Sequence, residues 1–246
     1  VIQKNRVIGN TEYGLMPRYA THTIQNNLFA ANGKAVHLNE NGTYTINNNN
    51  FTGNTSFIDI PASGTNDAPV DIKYNLISRH LSYSNNLINV SSVNSGQPDF
   101  KINNNKIDYN SNPYLVYNNR SVTNNSINAT NTYWGTTVES SIKEKIYDYD
   151  DNSQKSLVNI TPVLSSINNT VALFPVRNVK KAVVGSDVVL TWTANTETDV
   201  AGYKIYYGGY TGYSYTNAIT VNSASTTTYT LPSGVAISED IAITAF

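Results

Sequence analysis

The chain has 246 residues, enough for one or two domains with a substantial core. Charged residues make up 13% of it and the net charge is −1 with no Lys/Arg run, against roughly 25% charged in an ordinary globular chain, which argues against nucleic acid or an anionic membrane surface as partner. The absence of cysteine excludes disulfides and thiolate metal sites, and no apolar run is long enough to cross a membrane as a helix.

The opening VIQKN already belongs to a repeat. No signal peptide is recognisable, and the sequence reads as a trimmed piece of something longer. The repeat is apolar-x-x-Asn-x-apolar-x-x-Asn. Ile2-Asn5-Val7-Asn10 is the first copy, followed by Ile24-Asn27-Phe29-Asn32 and Ile46-Asn49-Phe51-Asn54. Ile72-Asn75-Ile77 ends on His80, Ile102-Asn105-Ile107-Asn110 is complete, and Val122-Asn125-Ile127 ends on Thr130. The six starts lie 22, 22, 26, 30 and 20 residues apart, a period that marks a stack of repeated units. After each copy comes a short alternating strand: Ala35-Val36-His37-Leu38, Phe57-Ile58-Asp59-Ile60, Leu87-Ile88-Asn89-Val90 and Tyr114-Leu115-Val116-Tyr117.

Strands this short bury their apolar faces only when coil stacks on coil. The expectation is a right-handed parallel β-helix of about six coils, with rungs about 4.8 Å apart. Asn5, Asn27, Asn49, Asn75, Asn105 and Asn125 are expected to stack as a self-satisfying amide ladder, and Asn tolerates the left-handed conformation of a tight bend. Insertions at Pro61–Pro69 and Ser91–Asp99 are rich in Gly, Pro, Ser and Asn and read as neighbouring surface loops. Trp134 reads as a plug for the end of the core. Val138, Ile142 and Ile146 have helical spacing, Asp148 to Asn152 is an acidic turn, and Leu157 to Pro162 is a last strand; together they read as a cap.

Ser165 to Thr170 is the expected linker. Beyond it, short strands at Pro175–Val179, Asp187–Trp192, Gly202–Tyr207, Thr228–Leu231 and Asp240–Phe246 argue for a β-sandwich. The expected domains are 1–165 and 171–246.

The Asn-punctuated repeats followed by NTYWG, DYDD and VNITPVL resemble secreted bacterial right-handed β-helix proteins of the pectate-lyase-like superfamily. The LTWTANTETDVAGYKIYYG run, with YTNAITV and TTTYTL after it, resembles a bacterial fibronectin type III module. That family has a Tyr near the start of the penultimate strand, where this chain has Glu239 and Asp240. It also continues into a last strand past the position of Phe246, so the module reads as truncated. The resemblance implies a secreted or cell-surface bacterial protein, monomeric, acting on or binding polysaccharide.

Enzymes of that superfamily use clustered acids on the outer face of one sheet, sometimes with calcium. Strict alternation places His37, Asp59, Asn89 and Val116 in one outward row, with His37 and Asp59 as neighbours able to do acid–base work. His37 and Asp59 are therefore the candidate catalytic pair, and Asn89, Tyr83 and Tyr114 the candidate glycan contacts. Tyr13, Tyr19, Tyr44, Tyr74 and Tyr109 are further rings able to stack on sugars, and about half of these tyrosines are expected at turn corners. Tyr210, Tyr213 and Tyr215 read as a clamp for their own Gly-rich loop.

The run Tyr13-Gly14-Leu15-Met16-Pro17-Arg18 lacks the Asp and His of the epimerase motif it approaches. No metal site is expected, save that Asp148, Asp150 and Asp151 offer oxygens suited to calcium. His80 reads as a packing variation and His22 as isolated. The Asn-x-Ser/Thr triplets at Asn41 and Asn128 read as chance. Three readings follow: a carbohydrate-associated β-helix with a fibronectin-like spacer or anchor, a polysaccharide lyase or glycoside hydrolase, and a structural stalk or adhesin.

Overall fold

A computed structural model describes residues 1–38, 42–61, 69–91, 99–166, 171–211 and 214–246. Most of the two expected insertion loops and of the linker, the triplet at Asn41, Tyr213 and the side chain of Tyr210 lie outside the described residues.

The first 172 residues form one compact unit and Leu173–Phe246 another. In the first unit the backbone winds as a parallel β-solenoid of about five turns. The turns are Ile2–Gln3, Arg6–Ile8 and Tyr13–Leu15 (β1–β3); Thr21–Gln25, Leu28–Ala30 and Lys34–His37 (β4–β6); Thr43–Asn47, Asn50–Thr52 and Ser56–Ile60 (β7–β9); Val70–Lys73, Leu76–Ser78 and Ile88–Val90 (β10–β12); and Phe100–Asn103, Lys106–Asp108 and Val116–Asn118 (β13–β15). Ile127–Asn128 (β16), the five-residue helix Glu139–Lys143 (α1), Ile146–Tyr147 (β17) and Val158–Asn159 (β18) follow. Strands in like positions pair in parallel, giving sheets ordered β1-β4-β7-β10-β13-β16-β18, β14-β11-β8-β5-β2 and β17-β15-β12-β9-β6-β3.

The repeat sets this register. Ile2, Ile24, Ile46, Ile72 and Ile102 are successive partners in the first sheet. Val7, Phe29, Phe51, Ile77 and Ile107 are successive partners in the second. Except at the first rung, these side chains are buried in one apolar cluster, each contributing about 1.5–3 kcal/mol.

The asparagines do stack. From Asn5 through Asn27, Asn49 and Asn75 to Asn105, each donates its backbone N–H and its Nδ2 to Oδ1 of the next at 2.9–3.0 Å. From Asn27 on, Nδ2 also reaches back to the carbonyl of the preceding turn, as from Asn75 to Ile46 at 2.8 Å. A second column runs through Asn10, Asn32 and Asn54. The left-handed φ, however, falls one residue earlier than expected. Lys4, Asn26, Asn48, Tyr74, Asn104 and Asn131 carry it before the first column, and Gly9, Ala31, Gly53, Arg79 and Tyr109 before the second. The corner residue turns the chain, and the Asn after it ties the corner to its neighbours.

The sixth repeat is displaced from its expected place. Val122 and Asn125 are exposed, and Asn128 pairs with Lys101, which sets Ala129 at the apolar position. Thr132 then takes the ladder position, its Oγ1 donating to the Ile102 carbonyl at 2.7 Å, and Trp134 the second apolar position. Small Ala129 beside large Trp134 obscures the motif in sequence. Trp134 is 4% exposed at the end of the core, where a plug was expected. The cap helix is shorter than its spacing implied: Ile142 is buried on it, Val138 lies outside it and is exposed, and Ile146 belongs to a strand.

The second unit holds two three-stranded antiparallel sheets. Arg177–Val184 (β19), Asp187–Thr193 (β20) and Thr228–Thr230 (β23) form one; Tyr203–Thr211 (β21), Ser214–Val221 (β22) and Ile241–Ala245 (β24) form the other. Both contribute to one apolar cluster, with Leu190, Trp192, Tyr203, Ile205 and Ile243 among its members.

Candidate functional site

The third sheet departs from strict alternation. Ala35 and Val36, Phe57 and Ile58, and Leu87 and Ile88 are consecutive pairs, yet all six lie in the core. The backbone bends there: the N–H groups of Phe57 and Ile58 both reach the Leu87 carbonyl, at 2.8 and 3.2 Å. The residues flanking each pair are left to face outward.

One outward row therefore reads His37, Asp59, Asn89, Tyr117 and Tyr147, each the register partner of the next. Val116 was expected in this row. It pairs with Ile88 and is fully buried, because the apolar pair of that turn is Leu115 and Val116 and its outward residue is Tyr117. At the other end Tyr13 pairs with Lys34. Gly14 lets that strand lie close, since a Cβ there would sit 2.8 Å from the Ala35 carbonyl.

Asp59 is the hub. Its Oδ2 accepts Lys34 Nζ at 2.6 Å and His37 Nδ1 at 2.9 Å, and its Oδ1 accepts Asn89 Nδ2 at 2.7 Å. Asn89 Oδ1 in turn accepts the Ser91 hydroxyl at 3.2 Å. Burial alone would raise the Asp59 carboxyl, but hydrogen bonds from Lys34 and Asn89, with the charges of Lys34 and His37, hold it below the usual carboxylate range. An ionised carboxylate only accepts, so Nδ1 of His37 carries the proton and Nε2 is the ring atom left for other partners. Asp59 and His37 are each 6% exposed. With three bonds made and a lowered affinity for protons, Asp59 is built to orient His37 and Asn89 rather than to exchange a proton itself.

Rings flank this hub. Tyr13 stacks on His37 with centroids 4.4 Å apart at 25°, and Lys34 Nζ lies 5.6 Å from its centroid. Tyr117 and Tyr147 stack at 4.6 Å and 12°, with Tyr114 tilted against both. The hydroxyl of Tyr13, hydrogen-bonded to Glu12, and that of Tyr117, partly desolvated beside Tyr147 and Tyr114, are both raised and stay protonated at neutral pH.

The sequence reading thus brought His37, Asp59 and Asn89 together and offered Tyr13 among its sugar-stacking rings; the structure sets Tyr13 on the row and adds Lys34, Tyr117 and Tyr147. Lys34, three residues before His37, and the place of Tyr13 opposite it were legible only once register is known. Tyr114 belongs to the aromatic end. Tyr83 stands in a turn between the second and third sheets, 90% exposed, outside the row. Of the other tyrosines, Tyr44 is fully buried and is not available to a sugar: its position on the first sheet faces the core, where it stacks on His22 at 5.7 Å. His22 is accordingly not isolated, its Nε2 lying 2.6 Å from the Tyr19 carbonyl. Tyr74 and Tyr109 occupy corner positions.

His80 is fully buried in the second Asn column. Its backbone N–H donates to Asn110 Oδ1 at 3.0 Å, and its Nε2 lies 3.3 Å from the Phe51 carbonyl, where a ladder Asn would place Nδ2. In the acidic turn, Asp148 accepts the N–H groups of Val158 and Asp150 and the Lys143 ammonium, and Asp151 accepts the Asp148 N–H. These carboxylates tie the cap to the last rungs. Among the described residues no group of three or more His, Asp or Glu side chains is arranged to hold a metal ion. Compared with family models, curated proteins and solved structures, the chain matches none of them.

Proposed function

We propose that the protein is an extracellular, carbohydrate-associated β-helix of the right-handed, pectate-lyase-like kind, whose third sheet binds glycan on its outer face. The second unit serves as a fibronectin type III-like spacer or anchor, and the setting is a bacterial surface or secretion. The observation that carries the reading is the row itself: an oriented amide at Asn89 lies beside the Tyr117–Tyr147 ring pair, with Tyr13 at the far end. Rings with a polar neighbour suit sugars, which offer apolar C–H faces and a rim of hydroxyls. The test is retention on a panel of immobilised neutral and acidic polysaccharides. Retention on at least one, lost in Asn89→Ala with an unchanged thermal midpoint, is expected; retention on none overturns the reading.

The hydrogen bond from His37 Nδ1 to Asp59 favours a second reading, a polysaccharide lyase or glycoside hydrolase with His37 as base. It expects oligosaccharide release from one of those polysaccharides, abolished by His37→Ala. Among the described residues, Asp59 is the one carboxylate hydrogen-bonded to His37, whereas hydrolysis by paired acids requires two carboxyl groups flanking the bond.

A further inference from the structure

We infer that the third-sheet face takes an uncharged pyranose chain several residues long, lying parallel to the solenoid axis between Tyr13 and the Tyr117–Tyr147 pair. The inference rests on the glycan-binding reading and adds length, direction and charge class to it.

Direction and length come from the rungs. Tyr13 lies on the first strand of this six-stranded sheet and Tyr117 on the fifth. Four steps of about 4.8 Å separate those strands by roughly 19 Å along the axis. The rise per sugar in an extended pyranose chain is close to one rung. A chain running along the axis thus meets a ring at each end and the Asn89 amide between them, whereas a disaccharide reaches one platform only.

Charge class comes from Asp59. Lys34, the one Lys or Arg side chain among the described residues of this row, is held by the Asp59 carboxylate at 2.6 Å. The two charges cancel, and Glu12 lies beside Tyr13. An acidic chain would have to bring its carboxylates to a surface with no uncompensated positive charge among the described residues of the row. Uncharged hydroxyls need only the oriented amide and the phenols. Tyr13, Asn89, Tyr114, Tyr117 and Tyr147 are all partly exposed, whereas His37 and Asp59 are buried. The buried pair accordingly acts as a positioning element: Asp59 fixes the Asn89 amide, and the His37 ring supports Tyr13.

Titration calorimetry of the full chain tests this, with neutral β-1,4-linked hexasaccharides of glucose, mannose and xylose, their disaccharides, and hexagalacturonate. At least one neutral hexasaccharide is expected to bind, its disaccharide and hexagalacturonate each about tenfold or more weaker. Tyr13→Ala and Tyr117→Ala are each expected to weaken the hexasaccharide by about tenfold, while Tyr149→Ala, an exposed cap residue, leaves it unchanged. If Tyr117→Ala fails to fold, Tyr117→Leu keeps the apolar cover without the ring. Tighter binding of hexagalacturonate, equal binding of disaccharide and hexasaccharide, or affinity indifferent to both tyrosines overturns this inference while leaving glycan binding intact. Binding of no saccharide overturns both.

Discussion

At position 80 an imidazole stands in for a ladder amide, and burial holds its pKa down to about 3. The unfolded chain takes up that proton near the ordinary value of about 6.5. A lowered folded value means that the stability is fully present above pH 6.5 and is lost as pH falls towards 3, at about 1.4 kcal/mol per pH unit. Urea denaturation at pH 7.5 and pH 5 is expected to show a loss of about 2 kcal/mol attributable to this residue. His80→Asn should remove that part of the loss, since Asn fills the same place in the other turns; an unchanged pH dependence would contradict the assignment. Asp59 adds to the trend at lower pH. Its carboxyl is lowered, so its contribution is present above the ordinary carboxylate value and disappears as pH falls through the folded one. Asn75→Leu removes the Oδ1 that accepts from Asn49 and the Nδ2 that donates to the Ile46 carbonyl and to Asn105, so two neighbouring turns lose partners at once. Each group left unpaired costs about 1–3 kcal/mol, and a thermal melt unchanged by the substitution would count against the ladder.

Among the elements, the corners show most clearly how the repeat works. Ala31 sits with φ of 53° where Gly9 and Gly53 occupy the same place in adjacent turns. An L side chain there costs roughly 1–2 kcal/mol, partly offset by the greater unfolded-state entropy of glycine. Ala31→Gly is expected to stabilise by about 0.5–1 kcal/mol, and Ala31→Val to destabilise, both read from denaturant midpoints. Trp134→Ala should cost about 3–5 kcal/mol by opening the end of the core. The first two sheets were legible because each turn repeats one spacing. The third was only half legible. Its strands begin at a bend with two inward residues in succession, and alternation counted across a bend slips by one, as it did at Val116 and Tyr117. The sixth turn was placed at Val122, Asn125 and Ile127 instead of Ala129, Thr132 and Trp134 because Thr132 replaces Asn and Ala129 replaces Ile: hydrogen-bonding capacity and inward position are kept while residue type is not.

Over the whole molecule, two chemistries are separated in sequence. The first unit is stacked by amide columns around an aliphatic and phenylalanine core, and the second has two antiparallel sheets that share an apolar cluster containing Trp192 and Tyr203. Stacking makes the candidate face collective. No turn holds the site, and residues 13, 34, 37, 59, 89 and 117 meet only because every coil is in register. A local motif search had little to find, and the His37–Asp59 contact was reached only by assuming that register. The most direct test uses the absence of native cysteine. In Asn89→Cys/Tyr117→Cys the two thiols lie on adjacent outward positions; in Asn89→Cys/Val116→Cys one faces out and the other into the core. Treatment of the folded protein with a short bis-alkylating cross-linker, followed by peptide mapping, is expected to join Cys pairs in the first variant and leave the second unlinked. Linkage in the second and none in the first would contradict the register on which the face is built.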